Sequence, residues 1–447
     1  MAGIAGILKQ GEKELVLSML EFIGHRGSYG KAVFEYDDAT IGITWAEHEG
    51  ESALRNQHNG IFSDGPGFGH LAEIKKSQGY WHIYRDELGV APMYYSYTQM
   101  GDLCFGSEIK ALLPFAAPIK ECPPGSVMNS SVQTKFFMPD KKPSVQIDPD
   151  LTAAELLNRL TISVSRRITS DRIGVWLSGG LDSSTIAALA RPWAKELHTF
   201  AGGLRNASDL SYAKEVANHI DSHHHEVIVN LKEMLRILPR VIYHLESFDA
   251  LLVRSSIINY FVADLTSGYV GEVFSGEGGD ELFAGYQYLK TIPANDLDDE
   301  LLDITKRLHN TAFQRVDRCA SAHGLTAHVV FADPHVFDFA QQIPSGLKLR
   351  DGIEKWILRK SIEEMLPKKI VWRPKIKFWE GSGVEELISD YASVKVTDSD
   401  FKAERNLDNG WTLRTKEELF YYRIFKEQFD EIKNLDWMGR TKNAPVN

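Results

Sequence analysis

The sequence predicts an α/β protein in two parts, an antiparallel β-rich domain and then a parallel sheet with crossover helices that ends in a helical region. Three observations carry this expectation. At 447 residues the chain is long for one core, so two domains are expected. The first 122 residues hold short runs of period near two, broken by glycine: GIAGIL, ATIGITWAE, GYWHIYRDELGV, APMYYSY and DLCFGSE. From Leu151 apolar strands alternate with helical spacing, the pattern of a parallel sheet whose crossovers are helices.

Taken in order, residues 1–122 form the β-rich domain with few helices. Residues 123–150, rich in Pro, Ser and Lys, read as a linker. The second domain spans 151–447. Within it LTAAELLNRLTISVSRRI has helical spacing and IGVWL is a continuous apolar strand. SSTIAALARPWAKE reads as a helix, HTFAGGL as a strand, and DLSYAKEVANHI as a helix capped by Asp209. HHEVIV is a further strand, and GEVFSGEGG closes the series, after which the pattern is mostly helical.

The formal charge of −11 repels a phosphate backbone, so nucleic acid is not an expected partner. RVDR at 315–318 and PKK at 367–369 are short and flanked by acids, and they read as solvated helix surface. Three cysteines, Cys104, Cys122 and Cys319, cannot all pair and show no CxxC spacing, which suits a reducing interior. The N-terminus is apolar only briefly, unlike a signal peptide, and no run approaches the roughly 18 apolar residues of a membrane span. A cytoplasmic protein without a membrane partner is expected.

Ser178-Gly179-Gly180-Leu181-Asp182-Ser183-Ser184 lies between the strand IGVWL and a helix. A helix N-terminus offers unpaired amides and the positive end of the dipole to an anion. Gly179 and Gly180 let the backbone close on a phosphate, while Ser178, Ser183 and Ser184 add hydroxyl donors. Asp182 belongs in such a cradle if Mg2+ accompanies the nucleotide. A GxxxxGK[ST] loop is absent from the sequence. A plain strand-to-helix turn with serine caps is the competing reading. A second segment weakens it: Phe274-Ser275-Gly276-Glu277-Gly278-Gly279-Asp280-Glu281-Leu282-Phe283-Ala284-Gly285-Tyr286 follows another apolar strand end. Both loops could open on one carboxyl edge of the sheet, where open α/β folds bind ligands. Glu277, Asp280 and Glu281, set among glycines, are costly to bury unpaired. They suit a second metal ligand, Asp280, and a base or orienting group, Glu277.

Together SGGLDSS and SGEGGDE resemble the synthetase domain of asparagine synthetase B-type enzymes, within the PP-loop ATP pyrophosphatase superfamily. VIYHLESFDALLVRSS, WILRKSIEEMLPKKIVWRPKIKFWEGSGV and ELFYYRIF follow in the family's order. AGIAGI, HRG at 25–27, RDELGVAPMYY at 85–95, FGSEIKALL at 105–113 and PPGS at 123–126 resemble its glutaminase domain. The resemblance implies a truncated Ntn-hydrolase-like domain joined to a PP-loop synthetase domain. It implies an ATP- and Mg2+-dependent ligase that adenylates a carboxylate, releases pyrophosphate, and lets an amine displace AMP. Ser178, Gly179, Gly180, Asp182 and Ser183 would hold pyrophosphate and Mg2+, and Asp280 a second Mg2+. Leu177, Gly202, Ser275 and Gly276 would face the adenosine. Lys375 would stabilise charge on the phosphate or the tetrahedral intermediate, and Glu277 would deprotonate the amine. Arg254 would anchor a substrate carboxylate, with a structural ion pair equally open.

The sequence departs from that family at its start. The glutaminase nucleophile is a cysteine directly after the initiator Met, and here that position is Ala2, whose methyl group cannot form a thioester. The family's NGEIYN and RLS segments are not recognisable either, and the domain is shorter by tens of residues. These losses imply that glutamine hydrolysis is gone and that ammonia comes free, from a separate glutaminase, or as another amine. Where relatives read EARVPFLD, this chain reads Thr326 to Asp333, TAHVVFAD, which puts aspartate as the carboxylate in doubt. Related β-lactam synthetases carry a tyrosine in place of the SGEG glutamate. Glu277 therefore favours intermolecular amidation of a small-molecule or peptide carboxylate over a lactam- or macrolactam-forming cyclase, the first alternative. The second alternative is a nucleotide-binding scaffold without turnover. A homodimer is left open.

Other residues invite weaker readings. His223-His224-His225 reads as strand entry rather than metal site. Trp176 reads as core, although it could stack on adenine. Phe283, Tyr286 and Tyr288 read as packing.

Overall fold

A computed structural model describes residues 2–50, 54, 57, 60–115, 117–142, 148–374, 385–432 and 434–442. Its N-terminal strands are β1 (Gly3–Ile7), β2 (Gly30–Tyr36), β3 (Ala39–Trp45), β4 (Ile61–Asp64), β5 (Ala72–Ser77), β6 (Tyr80–Arg85), β7 (Tyr94–Tyr97), β8 (Leu103–Gly106), β9 (Lys120–Glu121), β10 (Ser126–Met128) and β11 (Gln133–Lys135). They form two sheets, ordered β2-β3-β1-β8-β7-β9 and β11-β10-β6-β5-β4, with antiparallel pairing throughout. Ile4, Ile41 and Ile43 of the first sheet share a core with Phe62, Ile74 and Ile83 of the second. Alternation along β4, β6 and the first half of β5 points Phe62, Ala72, Ile74, Trp81 and Ile83 into that core.

Two features differ from the sequence reading. Helix α1 (Lys13–Phe22) fills the interval between β1 and β2 and buries Val16, Met19 and Leu20. Residues 126–128 and 133–135, read as linker, supply β10 and β11, and Ser126 pairs with Arg85 in β6. Each strand is three residues long, so the buried–half-buried–buried alternation of β10 is too short to read from sequence, and β11 is wholly exposed.

The second domain carries one parallel sheet of β12 (Arg172–Trp176), β13 (Glu196–Leu204), β14 (His223–Val229), β15 (Glu272–Ser275) and β16 (Thr326–Val329), ordered β14-β13-β12-β15-β16. The sequence series stopped at β15. TAHV adds a fifth strand whose four residues are all buried. The chain leaves β12 toward β13 on one side, while β15 lies on the other, so the crevice at their carboxyl ends is a topological switch point. Helices α2 (Pro149–Ser165), α3 (Leu181–Ala190), α4 (Ser208–His219), α5 (Leu231–Leu245) and α6 (Ala250–Ser267) follow the chain around this sheet. Asp148 caps α2 by accepting from the amides of Asp150 and Leu151, and Asn230 and Glu233 form a reciprocal capping box on α5. The sequence predicts Asp209 as the cap of α4, but the N-cap position is Ala207 and Asp209 makes no cap. It lies inside the first turn and pairs with Arg373 at 2.8 Å. Among the described residues no helix is long and apolar enough to cross a membrane.

RVDR at 315–318 is not solvated surface. It belongs to α9 (Ala312–Ser321), reached through α7 (Gly279–Leu282) and α8 (Leu297–Lys306), and Val316, Asp317 and Arg318 are buried. Its charges meet charges of the first domain. Arg26 donates to Asp317 at 2.9 and 3.0 Å, to Asp64 at 2.9 Å and to Glu108 at 2.9 Å. Arg318 donates to Glu246 at 2.9 Å and to Asp317 at 3.0 Å. Lys110 bonds Glu108 and lies 3.0 Å from Glu246. Sequence windows show such residues as charged, but only the docking of two domains reveals them as buried and mutually paired.

Candidate active site

The loop after β12 is closed by its own hydroxyls. Ser183 Oγ accepts from the Ser178 amide at 3.2 Å and donates to the Gly180 carbonyl at 3.2 Å. Gly179 sits at φ +72°, and a Cβ there would come within 2.5 Å of the Ala213 amide nitrogen, so this position requires glycine. Gly180 caps α3 with no side-chain bond, which leaves the first amides of α3 to an incoming anion.

The loop after β15 lies directly against it. A Cβ on Gly276 would meet the Ser183 amide nitrogen at 2.7 Å, and one on Gly279 would meet the Asp182 carboxylate at 2.7 Å. The two glycine-rich segments thus touch, and they open on a cleft of about 390 Å³. Leu177, Ser178, Gly180, Asp182, Ser183, Gly202, Ser275, Gly276, Glu277 and Asp280 line it. Trp176, Tyr286 and Tyr288, read as packing, line it too.

The remaining predicted residues lie elsewhere. Gly179 shapes the loop from behind. Ser184 is fully buried, with no hydrogen-bond partner on its hydroxyl among the described residues. Arg254 is buried against Glu417, to which its Nε donates at 3.1 Å, and Tyr421 donates to the same carboxylate at 2.7 Å. The ion-pair alternative is the arrangement present. Lys375 falls outside the described residues.

Two cations absent from the sequence reading bind the predicted acids. Lys355, 1% exposed in its side chain, contacts Asp182 and lies 2.6 Å from Asp280. Arg315 lies 2.6 Å from Glu277 and donates to Ser255 Oγ at 2.6 Å. Lys355 stands immediately before the recognised WILRKS segment, and no local pattern separates it from a surface lysine. Arg315 was hidden in RVDR. Burial raises the Glu281 carboxyl to about 7, the Asp280 charge adds to the shift, and Tyr286 donates to Glu281 at 2.6 Å. Arg373 ties the segment leading to Lys375 onto the first loop. It donates to the Gly179 carbonyl at 3.3 Å and lies 3.7 Å from the Tyr212 ring centroid.

Asp182 and Asp280 come from different loops yet reach one ammonium nitrogen, so their oxygens converge on a single cation position. Two carboxylates with the remaining positions left to phosphate and water fit Mg2+. Among the described residues there is no group of three or more His, Cys, Asp or Glu that could hold a metal ion.

Residues 155–301 and 293–438 match the asparagine synthase family. The chain belongs to this family. Residues 46–142 also match the glutamine amidotransferase domain family, a span that includes β10 and β11. Asparagine synthetase B [glutamine-hydrolyzing] of Escherichia coli (strain K12) is 34% identical over 371 residues, covering 78% of this chain and 67% of the relative. The Mus musculus asparagine synthetase [glutamine-hydrolyzing] is 33% identical over 399 residues, covering 79% of this chain and 71% of the relative. Asparagine synthetase [glutamine-hydrolyzing] 2 of Arabidopsis thaliana is 32% identical over 374 residues, covering 77% and 64%. Membership of the asparagine synthase family makes this chain a ligase-type protein of ATP-dependent amidation, with an amidotransferase-like N-terminal domain.

Proposed function

We propose that this protein is an AMP-forming carboxylate–amine ligase that takes its amine from solution or from a partner and does not hydrolyse glutamine itself. The observation that carries the proposal is the convergence of Asp182 and Asp280 on one cation position, with Glu277 in the same cleft.

The loop at 178–183 and the amides opening α3 hold the β- and γ-phosphates, while Leu177, Gly202, Ser275 and Gly276 border the adenosine. Asp182 and Asp280 would hold Mg2+, which when bound would neutralise phosphate charge. A substrate carboxylate oxygen attacks the α-phosphorus, the bond to the bridging oxygen breaks, and pyrophosphate leaves. The amine nitrogen then attacks the acyl carbon of the adenylate, AMP leaves with the bonding pair, and Glu277 takes the amine proton. Arg315 holds the Glu277 carboxylate in place through an ion pair at 2.6 Å. Lys375 supplies positive charge to the developing phosphate or oxyanion.

The loss of glutaminase chemistry is supported by the thiols as well as by Ala2. Cys104, Cys122 and Cys319 are all buried, and burial pushes the Cys104 and Cys319 thiols up to about 12. None is a thiolate ready to replace the missing nucleophile. The Ala2 carbonyl instead accepts from Arg26 Nε at 3.0 Å, tying this position to the domain junction.

The experiment is a screen of carboxylic acids with ammonium, simple amines and glutamine, scored for AMP, ADP and amide. AMP and amide should form together for one class of acid with ammonium or an amine. Glutamine alone should give no amide. ADP as product, or amide from glutamine with no other amine present, overturns the proposal.

A further inference from the structure

We infer that Lys355 is a built-in counter-cation: it fills the metal position of the ligand-free protein, so that a divalent ion enters only together with a nucleotide. The inference rests on the proposed reading of Asp182 and Asp280 as metal ligands.

The backbone around Lys355 fixes it there. The residue sits in the left-handed region at φ +55°, a conformation that disfavours side chains with a Cβ. Its amide donates to the Phe283 carbonyl at 3.1 Å, and its own carbonyl opens the helix Trp356–Ser361 by accepting from Arg359 at 2.9 Å. Glu354, just before it, is held by Arg359 at 2.7 Å and by Lys290 at 2.8 Å. Gly285 leaves room for the stem, since a Cβ there would meet Lys355 Cε at 2.2 Å and Asp280 Oδ1 at 1.9 Å. A lysine at the surface has no need of such a seat.

The charges explain the seat. Asp182 and Asp280 approach each other from two loops, and without a cation between them their repulsion would drive those loops apart. Among the described residues, three neighbouring cations face other carboxylates: Arg315 faces Glu277, Arg373 faces Asp209, and Arg359 faces Glu354. Lys355 is the cation that bridges the two loops, and it keeps them in register. An ammonium and a divalent ion cannot share one position, so free metal is excluded. A triphosphate changes the balance because its own negative charge draws the ammonium off the carboxylates as the metal arrives.

The test is Mn2+ binding to the full chain, followed by electron paramagnetic resonance with and without α,β-methylene-ATP, which is not cleaved between the α and β phosphorus atoms. With nucleotide, Mn2+ should bind the wild type and not Asp182→Asn. If it does not, the reading of these carboxylates as metal ligands fails. Given that result, Mn2+ alone should leave the wild type and Lys355→Arg unoccupied and should bind Lys355→Met at least roughly 100-fold more tightly than wild type. Mn2+ alone binding the wild type at a site lost in Asp182→Asn, or binding Lys355→Met no better than wild type, overturns the counter-cation. Should Lys355→Met melt too low for titration, Mn2+ without nucleotide should raise its melting temperature and not that of the wild type. Equal shifts in both proteins overturn the inference as well.

Discussion

Arg315 reaches back to two earlier elements: one guanidinium nitrogen donates to Ser255 on α6, 60 positions before it, at 2.6 Å, and the other lies 2.6 Å from Glu277. The proposed base is therefore held by a half-buried arginine in α9 that lines the same cleft. Glu277→Gln should lower amide formation about 100-fold or more, the usual contribution of a general base, while ATP–pyrophosphate exchange with the acid persists. Arg315→Met should lower amide formation less, about tenfold, because the carboxylate remains but loses its position. Measuring exchange and amide yield on the same preparations separates the half-reactions. Loss of both in Glu277→Gln would place this residue in adenylation instead.

Gly285 makes the metal corner possible. A methyl group there would collide with Asp280 and with the Lys355 stem. Gly285→Ala should cost about 1–3 kcal/mol of stability through overpacking and should weaken nucleotide binding. Gly346→Ala, where nothing lies within 4 Å of the added atom, is the control and should change neither. Denaturant titration and nucleotide binding by calorimetry test the pair, and equal behaviour of both variants would sink the prediction.

The charged junction between domains should be expensive to break on one side. Arg26→Met leaves Asp64, Glu108 and Asp317 facing one another without their shared cation. Removing one partner of a buried ion network costs about 3–5 kcal/mol, against less than about 1 kcal/mol for an exposed pair such as Lys195–Asp171. Chemical unfolding of Arg26→Met beside Lys195→Met compares the two. Similar losses would show that the junction contributes little.

The same junction should make stability depend on pH in an unusual direction. Burial, with the Asp317 charge adding to it, raises the Asp64 carboxyl from 3.8 to about 6, although Arg26 pulls it down. The folded state thus binds this proton more tightly than the unfolded chain does. Its contribution is fully present below about pH 4 and is lost as pH rises through about 6, a change on the order of 3 kcal/mol. Glu108 and Asp317 are shifted the opposite way and remain ionised across this window. Asp64→Asn should therefore lose less stability than wild type between pH 5 and pH 7.5. A melting series at fixed ionic strength checks this, and parallel curves for the two proteins would refute it.

What was legible in the chain was everything with a local cause. The strand IGVWL, the SGGLDSS turn and the helix after it follow one another within twenty residues, and each is set by apolar runs, glycine and hydroxyls in that short span. The PP-loop character and the acids Asp182, Glu277 and Asp280 could be named for that reason. The same local logic failed where strands were only three residues long, as in β10 and β11, and where a strand was added late, as in β16.

Which charges face water and which face each other was decided only by tertiary structure. Lys355, Arg315, Arg318 and Arg26 are ordinary cations in sequence, because a lysine or arginine looks the same whether solvated or buried against a carboxylate. Their partners lie tens to hundreds of residues away, at Asp182, Glu277, Glu246 and Asp317. Pairing across such distances depends on how two sheets and two domains dock, and that is set by the summed burial of both cores rather than by any one segment. The sequence by itself determined the elements and the nucleotide-type loops; the docked fold determined which cation guards them.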